Sequence, residues 1–170
     1  ITFIDYVGGN DNASSETINT ISPTAFAQSH TEGFESYSSS TKEIDNAIII
    51  NDNTENTYVV SNSISGSVTW NLGGYGNSDK AWRMRFYTWS SGSQATMVFE
   101  NIDLSSNTGN GLRFSYAYAQ SGLANNDRFE VVASTDCGAT WTTLYDEQGA
   151  AMATASPITG AHFYPAVTEW

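Results

Sequence analysis

Short runs in which apolar and polar residues alternate, each stopped by glycine, asparagine or serine, fill this sequence and leave almost no room for helix. Successive side chains of a β-strand point to opposite faces, so period two marks a strand with one buried face. No segment of about twelve residues carries apolar positions at i, i+3, i+4 and i+7, the spacing an amphipathic helix needs. The predicted strands are ITFIDYV (1–7), EGFES (32–36), NAIII (46–50), TYVVS (57–61), SVTWNL (67–72), WRMRFYTW (82–89), ATMVFENIDL (95–104), LRFSYAYA (112–119), RFEVVAS (128–134), TWTTLYD (140–146) and AHFY (161–164). Turn residues such as Gly73-Gly74, Ser91-Gly92 and Asn125-Asn126-Asp127 separate them. Many short strands at regular spacing with no helix predict an all-β fold, an antiparallel β-sandwich of jelly-roll type.

The same alternation assigns faces. In WRMRFYTW it sends Trp82, Met84, Phe86 and Thr88 toward the core and leaves Arg83, Arg85, Tyr87 and Trp89 on the other side. In LRFSYAYA the inward set is Leu112, Phe114, Tyr116 and Tyr118; in RFEVVAS it is Phe129, Val131 and Ala133. Residues 1–9 read as a strand of a preceding domain or a donor strand, 10–30 as a polar linker, and 31–170 as the sandwich.

Charge narrows the partners. Eighteen acidic residues against six basic ones give a formal charge of −12. A nucleic acid would meet repulsion with few Lys or Arg to release its counterions, and an anionic membrane is disfavoured for the same reason. No apolar run approaches the ~20 residues of a spanning helix. Ser, Thr and Asn together number 56, so the surface polarity is mostly neutral, which suits exposed strands and turns and leans toward an extracellular setting. ITFIDYVGGN lacks the basic start and apolar stretch of a signal peptide, so the expectation is a cytosolic protein or a mature, processed one.

Chemistry-bearing residues are sparse. Cys137, the single cysteine, sits in STDCGATW with no histidine nearby in sequence, and reads as a small, half-buried turn residue rather than a nucleophile. His30 and His162 are isolated from each other and from any zinc-binding spacing. Asp103, Asp127, Glu130, Asp136, Asp146 and Glu147 imitate a glycosidase's carboxylate pair only in number, and solvated turn or strand-edge roles explain them better. Of the many aromatics, Tyr87 and Trp89, with Arg83 and Arg85, fall opposite the predicted core and are the expected ligand-binding platform, because sugars stack on exposed rings.

EGFES (32–36), LRFSYAYAQSGLANNDRFEVVASTDCGATWTTLYDEQGAAMATA (112–155) and FYPAVTEW (163–170) together resemble the MAM-like or cleaved-adhesin (choice-of-anchor) jelly-roll modules of secreted Bacteroidota proteins. The resemblance covers roughly 32–170, and ITFIDYV is similar to the closing strand of a PKD-like domain. It implies a secreted, cell-surface module, cargo of type IX secretion, acting in adhesion or polysaccharide binding without catalysis of its own. It also implies a structural Ca²⁺ held by Glu35, which matches the glutamate of the family's "FE" start, and by Asp127. In those modules further strands follow the tryptophan matching Trp170, so the resemblance implies either that the missing strands come from a neighbouring chain or segment or that the sequence is a fragment of a larger protein. The alternative is a subunit of an extracellular fibre in which ITFIDYV, followed by its polar linker, is donated to a neighbouring copy.

Overall fold

Three antiparallel pairings lie one inside another between residues 47 and 99. The computed structural model describes residues 30–51, 57–61, 63–65, 68–70, 74–105 and 110–170; the strand expected at 1–7 and the linker up to residue 29 lie outside them. The strands are β1 (Ala47–Asn51), β2 (Thr57–Ser61), β3 (Ser63–Ser65), β4 (Val68–Trp70), β5 (Lys80–Met84), β6 (Ala95–Phe99), β7 (Arg128–Ala133) and β8 (Thr142–Gln148). β1 pairs with β6, β2 with β5 and β3 with β4, and β7 pairs with β8 as a separate hairpin. The described residues thus form small antiparallel sheets with only single-turn 3₁₀ helices, and the chain is all-β there. No helix among them is long and apolar enough to cross a membrane.

β-branched runs build the nest. Ile48, Ile49 and Ile50 face Val98, Met97 and Thr96 across β1–β6, and Val59 stands opposite Trp82 across β2–β5. Val59 is fully buried, with Thr57, Val60 and Ile44 close to it in burial. Burying a valine side chain contributes about 1.5–3 kcal/mol. The far edge of β2 is covered: Ser40 N–H donates to Val59 O at 2.7 Å, and Val59 N–H donates to Thr41 O at 2.8 Å. Phe34 packs its ring 6.3 Å from that of Trp82.

A second core forms around Met152, Tyr118 and Gln120, all buried. Residues 118–122 run alongside 154–158: Thr154 N–H donates to Tyr118 O (2.9 Å), Ile158 N–H to Gln120 O (2.9 Å) and Gly122 N–H to Ile158 O (3.2 Å). Gly149 closes this core. Its φ is +53°, and a Cβ there would run into the Asn126 side chain, so both the backbone and the space demand glycine.

Several expectations are corrected here. EGFES is a turn, with Phe34 at φ 62°, not a strand. LRFSYAYA carries the predicted inward aromatics but no strand ladder, and Leu112 is 59% exposed rather than inward. AHFY is not a strand. WRMRFYTW stops being a strand at Met84: Arg85 leaves the extended region (φ −96°, ψ 64°), and residues 86–88 form a 3₁₀ turn. Thr88 causes this locally, since its N–H and its hydroxyl both donate to Arg85 O at 3.0 Å, which competes with continued pairing.

Candidate functional site

The β7–β8 hairpin accounts for most of its own polar groups. Its inner face carries Phe129, Val131 and Ala133, as the alternation predicts. Phe114 and Tyr116 lie against that face, with Phe114 5.3 Å from Tyr145 and 5.7 Å from Phe129, both edge-on. The Tyr116 and Tyr145 hydroxyls meet at 2.6 Å. That bond, aided by burial, pushes the Tyr145 phenol up to about 12. On the outer face Glu130 stands opposite Asp146, a like-charge pair that would destabilise the ladder. Arg128 offsets it, donating from Nε and Nη2 to the two Asp146 oxygens at 2.6 and 2.7 Å and lying 3.5 Å from Glu130. A bulge between Val131 and Val132 resets the register.

The hairpin tip is equally closed. Cys137 (φ 58°) and Gly138 (φ 85°) are consecutive left-handed residues, the requirement of a type I′ turn. Ala139 N–H donates to Asp136 O across it at 3.3 Å. The Asp136 carboxylate accepts from Thr140 N–H (2.8 Å), the Thr140 hydroxyl (2.6 Å) and the Ser134 hydroxyl (2.8 Å), and these bonds, Thr140's first, hold its pKa down at about 2. Cys137 is exposed rather than half-buried, because it occupies the outermost position of the turn.

The region after β5 is different. Arg83 lies near the end of β5 and Arg85 just beyond it, and among the described residues the ion pairs involve Arg128 alone, so neither has a carboxylate partner there. The Arg85 Nε–H and the Trp89 indole N–H are buried with no acceptor. They flank a single 3₁₀ turn over Phe86–Thr88. Trp89 does not stand out as an exposed platform; it is half-buried, with its ring 5.0 Å from Phe86 and edge-on to it. Phe86 in turn sits 6.2 Å from Tyr118, which ties the turn to the second core. The Tyr87 side chain lies outside the described residues.

His162, far along the chain, is exposed and feels the two arginines through their charge. Burial, followed by the charges of Arg83 and Arg85, pushes its imidazole below the usual range. Its ring lies 6.4 Å from that of Tyr164. Nothing in the local spacing signals this influence, because it depends on where residues 161–164 lie in the folded chain.

Glu35 and Asp127, the expected calcium pair, belong to separate groups and share no hydrogen-bond partner. Asp127 accepts from the Tyr118 hydroxyl at 2.7 Å, and burial with that bond raises the Tyr118 pKa. Glu35 accepts from the Ser78 hydroxyl and from Asp79 N–H (3.0 Å). Ser78 Oγ also lies 2.9 Å from Lys80 O, so one proton serves several oxygens. These oxygens suit a hard cation, but the Lys80 ammonium already stands among them, donating to Glu35 O at 2.7 Å and to Tyr37 O. Among the described residues no group of three or more His, Cys, Asp or Glu side chains is arranged to hold a metal.

Of the other carboxylates the sequence singles out, Asp103, Glu130, Asp136 and Asp146 are engaged in turn and ladder bonds. Asp103 accepts from Ser105 N–H at 2.9 Å and Glu130 from the Thr143 hydroxyl at 3.0 Å. Where hydrogen bonds move a carboxyl pKa, at Asp103, Asp136 and Asp146, they move it down. A general acid needs the opposite. Asp146, Glu147, Gln148 and Arg128 line a shallow, open depression rather than a cleft. Comparison with protein-family models, with curated proteins and with solved structures finds no match.

Proposed function

We propose that the chain is a non-catalytic, secreted β-sandwich module that binds polysaccharide, for adhesion, through the turn following β5. The single observation that carries this reading is the pair of buried N–H donors without acceptors, Arg85 Nε and Trp89 Nε1, at the two ends of one turn. A buried donor left unsatisfied costs about 1–3 kcal/mol, and a ligand oxygen would recover that cost if the turn shifts to admit it. Saccharides present dense hydroxyl acceptors and pair them with apolar ring faces that suit an aromatic neighbourhood. The nested pairings β1–β6, β2–β5 and β3–β4 support the finer fold reading, a jelly roll, since winding up one long hairpin gives that nesting.

Trp89→Phe tests the site, because it keeps a ring against Phe86 while removing the N–H. On affinity gels loaded with plant and microbial glycans, the native chain should be retarded and Trp89→Phe should run freely. Equal mobility of the two in every retarding gel would remove Trp89 from the site.

The fibre reading has its own support. Every described sheet is two-stranded, and an isolated pair is marginal in water, so added strands would stabilise it. The donor in this reading, residues 1–9, lies outside the described residues. It predicts multimers that dissociate when 1–9 is deleted, and a single monomeric species by light scattering would dismiss it.

A further inference from the structure

We propose that the saccharide bound at the turn after β5 is an anionic one, its carboxylate or sulfate held by Arg83 and Arg85 while the Trp89 indole N–H donates to a neighbouring hydroxyl. This rests on the glycan-binding reading above and adds the chemical class. With 18 carboxylates in the chain against six Lys and Arg, an arginine has every statistical chance of an internal partner. Arg128 takes two, while Arg83 and Arg85 take none among the described residues.

A guanidinium stays charged at any pH a protein survives and offers five N–H donors matched to a planar or tetrahedral oxyanion. Here one of those donors, Arg85 Nε, is already stripped of water and unmatched. Both arginines are half-buried, so less water competes for them than at a fully exposed position. Charge-assisted bonds of this kind are about twice as strong as neutral ones.

The overall charge of −12 bears on which anionic glycan fits. At physiological ionic strength charges are screened beyond about 8 Å, so an isolated acidic group feels the local arginines while a dense polyanion also meets the acidic surface around them. The fitting partner is therefore a largely neutral chain with sparse uronate or sulfate substituents.

The test uses the full chain on three affinity gels at physiological salt: glucuronoxylan, the same polymer after reduction of its carboxyl groups, and lightly sulfated dextran. Retardation by the first or third is expected, with loss on carboxyl reduction for the first. The doubly substituted Arg83→Gln/Arg85→Gln chain should bind roughly tenfold more weakly. Its thermal midpoint should match the native one, and Arg113→Gln, an exposed arginine elsewhere, should behave as native. Retardation by glucuronoxylan alone assigns a uronate, and by sulfated dextran alone a sulfate ester; either supports the proposal. If the reduced polymer retards the chain as well as the native polymer does, and the double variant is unaffected, the anionic class is overturned while glycan binding stands. If no gel retards the native chain, both fall.

Discussion

The β7–β8 hairpin and the turn after β5 treat their polar groups in opposite ways. At the hairpin, Arg128 is matched to Asp146 and Glu130, Asp136 to Thr140 and Ser134, and Tyr116 to Tyr145. At the end of β5 and the turn that follows, Arg83 and Arg85 lack carboxylate partners among the described residues, and two N–H donors are buried without acceptors. Both regions are built from the same kind of sequence, alternating aromatic and charged residues. On the function proposed above, the matched groups belong to the scaffold and the unmatched N–H donors at the turn to the surface that recognises a ligand.

The contrast can be broken first at the scaffold that carries both. Met152 is 1% exposed at the centre of the second core, so Met152→Ala should cost about 2–5 kcal/mol in denaturant unfolding; a cost below about 1 kcal/mol would mean that this core contributes little. The hairpin comes next. The Asp136 pKa is lower folded than unfolded, so its stabilisation is present above the usual carboxylate value near 3.8 and is lost as pH falls toward about 2. Asp136→Ala should lower the melting midpoint at pH 7 and flatten the fall between pH 4 and pH 2, leaving glycan retention unchanged. An unaltered acid profile would detach Asp136 from the hairpin's stability.

At the turn the expected effect on stability is smaller and of the other sign. Arg85→Leu removes a buried donor that has no acceptor, so the midpoint should hold or rise while binding weakens; a fall of several degrees would show that Arg85 is a structural residue. His162 sharpens the contrast further. Its pKa is lowered by burial and by the two arginines, and a bound anion would raise it, so binding takes up a proton and should tighten as pH drops through the imidazole range. Affinity that is flat from pH 7.5 to pH 5.5 would separate His162 from the site. The smallest expected effect concerns the loop tie at Lys80: chelator should leave the midpoint within about 1 °C while Lys80→Met lowers it, and a chelator-induced fall would restore calcium at Glu35.

Much of the strand content was legible because period two is a local signal. TYVVS is a strand over the residues its alternation marks, and RFEVVA alternates exposed and half-buried along its whole length. The end of β5 was not legible. WRMRFYTW alternates in residue type to its last residue, yet the Thr88 bonds to Arg85 O turn the backbone and reposition Trp89. The alternation of LRFSYAYA correctly groups Phe114 with Tyr116, but only the folded chain shows that they pack on the hairpin rather than joining a ladder. Of the proposed site, Arg83 and Arg85 could be singled out from the alternation; the effect of their charge on His162 could not, since it joins parts of the chain far apart in sequence.

The hairpin apex offers a practical handle. Cys137 is the sole sulfhydryl, exposed on a turn whose shape is set by two left-handed residues and the Asp136 bonds. A maleimide-bearing bead or dye would therefore attach at one defined place, and every immobilised molecule would present the same face to solution.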